Sequence, residues 1–258
     1  LLFIQEESMP PKEVLIMAMT RMRSGICTAG FIMADDPPGA LPWVRPVKDY
    51  GSLLLGDMTD TAGRVVQVGD VVELALRRPR PAPVHSEDWV TEFIRHRPRL
   101  VRRLTGAEWA DFLAQQVDPA PDEVLRHHRR SLCLVQPTSV AAHFLLDRQT
   151  GKYEARLTFS LSSQPGAALT GALTGPHNLP VTDLAWRALG RRWLAEMAAP
   201  GDIVRLTLDA AALTQTLAAD AIFLSLGLSR TYEGRIWPLV IGVHPTPEIT
   251  VSIDYEQL

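Results

Sequence analysis

Lysine is almost missing from this chain of 258 residues: Lys12, Lys48 and Lys152 are the three, and arginine supplies the other 23 of the 26 basic side chains. Cysteine is nearly absent too. Cys27 and Cys133 are too few for a disulfide framework, which excludes the small stapled scaffolds. Neither has a Cys-x-x-Cys partner, so no zinc site is expected. No stretch of about 18 apolar residues exists, and with it goes the expectation of a transmembrane helix. The opening LLFIQEESMPPK is too short and too acidic for a secretory signal, and Met9 is a candidate initiator, so residues 1–8 need not be native. These absences leave a reduced, cytoplasmic setting as the default. The phosphate-cradling Walker loop, Gly-x-Gly-x-x-Gly, Gly-x-Ser-x-Gly and His-Glu-x-x-His are all missing. No catalytic residue, metal site or cofactor is expected. A net charge of −3 excludes a globally basic nucleic-acid binder.

What is present is ordinary globular material: 46% hydrophobic and 21% charged residues, enough for one large domain or two small ones. Glu13–Thr20 (EVLIMAMT) and Gly25–Met33 (GICTAGFIM) read as strands, and Asp35–Pro42 as a loop. Trp43–Val47 (WVRPV) is a short extended run, with Pro46 restricting Arg45 to extended geometry. The stretch GDVVELAL from Gly69 returns almost unchanged as GDIVRLTL from Gly201. Both halves also hold an aromatic-proline strand, WVRPV and IWPLV, though in the opposite order relative to the Gly-Asp strand. Two similar small barrels is the economical reading; a shared turn chemistry without kinship is the competing one. Val71, Leu74, Ile203 and Leu206 are expected to point into strand cores.

Between the halves the texture changes. Ser86–Arg97 reads as a helix, with Ser86 as cap, Glu87 and Asp88 in the first turn and Trp89, Phe93 and Ile94 on one face. Thr105–Gln116 reads as a stronger helix, since Thr105 and Glu108 have capping-box spacing and Trp109, Phe112 and Leu113 form its stripe. Asp118–Arg130 is linker-like. Later, Tyr153–Ser162 alternates at period two, and Thr182–Gly201 is a helix carrying Trp186, Leu189, Trp193 and Met197. Ala221–Arg230 and Arg235–Val243 are a closing strand pair, and residues 248–258 could add an edge strand. The fold class is mainly β with accessory helices, α+β, built as two OB-like barrels joined by a helical connection. The divisions are 11–85 for the first barrel, 86–130 for an arginine-rich helical connection and 131–258 for the second barrel with an inserted helix.

The residues Cys27, Ala29 and Gly30, then Trp43, Arg45, Pro46 and Val47, then VGDVVEL, resemble the start of the dual OB-containing domain found in largely uncharacterised prokaryotic proteins. In the second half, LTF, PVTDLAWR and LSLGLSRTYEGRIWPLVIGV are similar to that family's second barrel, so the resemblance spans about residues 13–246. It implies two OB-like barrels and supplies no reaction.

The chemistry-bearing candidates are therefore binding residues. Arg95, Arg97, Arg99, Arg102 and Arg103 crowd into ten residues, and Arg126–Arg130 form a second cluster. Such a cluster can track a phosphate backbone; the competing reading is a solvated linker balanced by nearby acids. Trp43 with Arg45, and Tyr232 with Arg230 and Arg235, pair an aromatic with cations as base-stacking faces do; for Trp43 and Trp237 the competing reading is core packing. Cys27 reads as a buried structural thiol, Asp183 as a helix cap. The expected function is a non-catalytic module binding single-stranded or structured RNA or DNA, an accessory subunit in a prokaryotic complex. The alternative is a module that docks protein or senses a small ligand or nucleotide.

Overall fold

The computed structural model describes residues 10–22, 24–33, 41–161, 176–197, 201–231 and 233–255. The unbroken apolar run of the first strand, β1 (Lys12–Met22), needs cover on both faces and has it: Val14 through Thr20 are all buried. Val14, Ile16 and Met19 enter one core with Val44, Val72 and Leu74, while Leu15 and Met17 enter another with Phe31, Trp109 and Phe223. The change of parity between Ile16 and Met19 is taken up by a bulge between Ile16 and Ala18. Across from the bulge, a Cβ on Gly30 would lie 2.1 Å from the Leu15 carbonyl oxygen. Only glycine allows the two backbones to approach that closely.

β2 (Gly25–Ile32) pairs antiparallel with β1, and β3 (Trp43–Val47) antiparallel with β2. β4 (Asp70–Leu74) lies antiparallel on the other side of β1. After Ala75 the chain continues as β5 (Leu76–Pro79), antiparallel to β6 (Asp88–Thr91), and β6 runs parallel to β3. β4 and β5 are thus two parts of one bent strand that pairs with β1 at one end and β6 at the other. The sheet closes in the order β1-β2-β3-β6-β5/β4. Five strands closed this way make an OB barrel. β7 (Arg99–Arg103) adds to the outer edge of β4.

The second half repeats the plan. β9 (Ser139–Asp147), β10 (Tyr153–Ser160) and β11 (His177–Pro180) form a meander, and β12 (Ile203–Leu208) returns on the far side of β9. The order β11-β10-β9-β12 matches β3-β2-β1-β4. Each Gly-Asp pair therefore leads into the fourth strand of its half, and Gly69 and Gly201 adopt φ of +88° and +98° to make the turn. A further sheet, β14-β13-β8, consists of β8 (Leu132–Val135), β13 (Ala221–Leu228) and β14 (Pro238–Thr246). Val240 of β14 bridges Val181 in parallel and ties this sheet to the second meander.

Four α-helices accompany the sheets among the described residues: α1 (Gly106–Gln115), α2 (Asp122–Leu125), α3 (Leu184–Glu196) and α4 (Ala210–Leu217). α3 begins where expected, its Asp183 accepting from the Trp186 N–H at 3.1 Å. Trp109 is 3% exposed, as its stripe predicts, and Trp193 is half-buried against the core of the second half, which holds Phe144, Trp186 and Leu189. Leu184, the first residue of α3, is buried in the core of the first barrel.

Several expectations are corrected. Residues 86–97 do not form a helix; β6 runs through them, and β7 follows. The acids that read as a helix's first turn are spent on tertiary bonds. Glu87 accepts from the N–H of Ser131 (2.8 Å) and Leu132 (3.2 Å) and from the Ser131 hydroxyl (2.9 Å), and Asp88 holds two arginines. Thr105 makes no side-chain cap on α1; instead the distant Glu248 carboxylate accepts from the Gly106 N–H at 3.0 and 3.1 Å. α4, missed in the sequence, is capped by Asp209 on the Ala212 N–H at 2.9 Å. Residues 249–254 form no edge strand. Ile203 is 47% exposed, whereas Val204 is buried and Leu206 half-buried. Three residues apart, Ile203 and Leu206 cannot share one face of a strand. Val71 and Leu74 are buried as expected.

Candidate ligand pocket between the two halves

Arg45 stands at the middle of β3, and its pairing with β6 sets Asp88 beside it. The Arg45 Nε donates to Asp88 Oδ1 at 2.6 Å. From the second half, Arg230 Nη2 donates to Asp88 Oδ2 at 2.8 Å. Asp88 is 2% exposed and Arg45 5%, so one buried carboxylate ties β3, β6 and the end of β13 together. The Nη2 of Arg45 is buried and makes no hydrogen bond with the described residues.

This hub borders a cavity of about 400 Å³. β2 and β3 of the first barrel line it on one side; Leu132, Leu228, Leu239 and Ile241 of the β14-β13-β8 sheet line the other. Among the described residues, Arg21, Arg45, Lys48, Arg80 and Arg230 also line it, and no carboxylate and no aromatic ring does. Lys48 pairs with Asp57 at 3.0 Å, and Arg80 donates to the carbonyls of Lys48 (2.8 Å) and Asp49 (3.1 Å). The face of the second and third strands, with the loops beside it, is where OB barrels take their ligands.

The field of these cations reaches two neighbours. His85, buried nearby, has its pKa pulled down to about 4, by burial first and then by Arg45 and Arg230. It is neutral at pH 7. Cys27 lines the pocket, but burial pushes its thiol up against the lowering pull of Arg45 and Arg230. An activated nucleophile would be shifted the other way. A smaller cavity of about 180 Å³ beside Trp109, Asp183 and Tyr255 has, among the described residues, one cation on its wall, Arg103, which is already held by Asp70 (2.8 Å) and Gln67 (3.0 Å).

Of the residues expected from sequence, Arg45 and Arg230 meet at the pocket. Trp43 does not line it: its ring packs on Phe31 with centroids 4.1 Å apart. Arg99, Arg102 and Arg103 lie on the edge strand β7 and pair with Glu73, Glu108 and Asp70. Arg95 and Arg97 are exposed in the bend before β7, and Arg235 is exposed before β14. Tyr232 lies outside the described residues. In the second arginine cluster, Arg129 pairs with Glu123 and Arg130 with Asp118. Trp237 is 49% exposed and not core. The sequence reasoning missed Arg21, Lys48, Arg80 and Asp88. Lys48, one of three lysines and next to WVRPV, carried the one usable signal.

The fold and the pocket define a class: an OB-containing β protein, a fold of nucleic-acid and ligand binders. The sequence pattern of the dual OB-containing domain matches residues 12–169, more than half of the chain, and the chain belongs to that family. No curated protein and no solved structure matches it. Among the described residues no helix is long and apolar enough to cross a membrane.

Proposed function

We propose that the chain is a non-catalytic module that binds phosphate-bearing ligands of the nucleic-acid and nucleotide class, acting as an accessory subunit of a prokaryotic cytoplasmic complex. The carrying observation is the pocket on the β2–β3 face, where, among the described residues, five cationic side chains meet with no carboxylate on the wall. Guanidinium groups suit this ligand class because their planar forks match phosphate oxygens. Exposed Arg95, Arg97 and Arg235 are the positions from which a longer strand would be held outside the pocket.

The test is a binding panel of single- and double-stranded DNA and RNA and of mononucleotides, each at two salt concentrations. A strand should lose affinity with salt at a logarithmic slope of roughly −0.7 per phosphate contacted. Arg230→Gln should weaken every bound ligand. No binding of any member at about 50 mM salt, a condition generous to electrostatic contacts, would sink the reading in favour of protein docking.

A further inference from the structure

We infer that the pocket receives a terminal phosphomonoester, and that it reads the phosphate rather than the base. This rests on the proposed function of the same pocket and narrows its ligand. Charge comes first. Among the described residues, the five lining cations are touched by two carboxylates, Asp88 and Asp57, leaving a formal excess of three positive charges. A phosphodiester brings one negative charge, whereas a phosphomonoester brings about 1.5 to 2 at neutral pH.

Enclosure comes second. Leu132, Leu239 and Ile241 close over the β2–β3 face, so a continuous strand cannot lie along it as on an open OB surface. OB sites on open faces hold roughly 4–16 nucleotides. A cavity of about 400 Å³ falls in the small-molecule range of roughly 300–1,000 Å³. It fits one unit: a free mononucleotide or the phosphorylated end of a strand. The wall chemistry comes third. Among the described residues no aromatic ring lines the pocket, and its apolar part is aliphatic, so they offer a base no stacking platform. Arg45 is oriented by Asp88 through Nε, and its buried Nη2 has no hydrogen-bond partner among the described residues, which leaves that donor for a phosphate oxygen.

Titration calorimetry on the intact protein tests this with AMP, UMP, adenosine and one short oligonucleotide bearing a 5′-phosphate, a 3′-phosphate or hydroxyls at both ends. AMP and UMP should bind within about threefold of each other, and adenosine at least about tenfold more weakly, as expected for loss of charged hydrogen bonds. One phosphorylated oligonucleotide should bind at least about tenfold tighter than the dihydroxyl form. Arg230→Gln and Arg80→Gln, each checked for folding by circular dichroism, should weaken AMP by a similar factor, while exposed Arg97→Gln leaves it unchanged. Equal binding of phosphorylated and dihydroxyl strands, both weakened by Arg80→Gln, would overturn this inference and leave the proposed function standing. So would a preference above about tenfold between AMP and UMP. Silence from every ligand would overturn both.

Discussion

Three buried titratable side chains set how single residues answer to acid. His244 lies 2.8 Å from the Ser225 hydroxyl, and burial pulls its pKa down to about 3; His85 stands at about 4. Both imidazoles favour the folded state when neutral, so their stabilisation is full above the unfolded pKa near 6.5 and is lost as pH falls towards the folded values. Asp183 acts with the opposite sign. Burial raises it to about 6, against the pull of the Val243 and Trp186 N–H groups. Its contribution is present below the unfolded pKa near 3.9 and is lost as pH rises through about 6. Between about pH 4.5 and 6 two histidines oppose one aspartate, so stability should fall by about 1.4 kcal/mol per pH unit on acidification. Asp183→Asn should roughly double that slope in urea titrations across the window; an unchanged slope would contradict the assignment. These roles were poorly legible in sequence. Asp183 read correctly as a cap because its partner is three residues away. Asp88 did not, because its partners Arg45 and Arg230 are 43 and 142 residues away.

Elements with strong periodicity were read well for the same local reason. β10 alternates buried and half-buried along its whole length, and α3 keeps Trp186, Leu189 and Leu194 inside. β6 was misread because four residues are too few to show a period, and its acids imitated a helix start. α4 was passed over although Asp209 and the apolar pair Leu213 and Leu217 mark it. The helices also differ in what they support. Leu184 closes the core of the barrel to which its own helix does not belong. Leu184→Ala should therefore cost about 2–5 kcal/mol, and Trp109→Ala about 3–5 kcal/mol, as fully buried side chains do. Trp193→Ala should cost less, because that ring is only half-buried. Chemical denaturation of the three variants checks the ranking, and a Trp193 loss exceeding that of Trp109 would contradict it.

At the scale of the molecule, the two halves share walls. β1 contributes to a core that also holds Leu134 and Phe223 of the later sheet, and Asp183 bridges Thr20 of β1. The chain should therefore unfold in one transition, with tryptophan fluorescence and far-ultraviolet dichroism coinciding. AMP at a hundred times its dissociation constant should add about 2.7 kcal/mol to that single transition. Two separated transitions, only one moved by AMP, would show independent halves. The twofold plan was legible in the repeated Gly-Asp strand. The pocket was not, since it forms where two surfaces meet and no segment carries it alone.

The Glu248 carboxylate on the first N–H of α1 has a consequence for the order of events on the ribosome. Every strand of the first barrel has been made by Arg103, yet its core still lacks Leu184 and the helix beside it still lacks its cap. At roughly 5–20 residues per second, the stretch from there to Glu248 takes on the order of 7–30 s to translate. For most of that interval, until Phe223 has been made, the apolar face of β1 that will meet it stays open to water and to other chains. A pause late in the message would lengthen the most aggregation-prone period of the nascent first barrel.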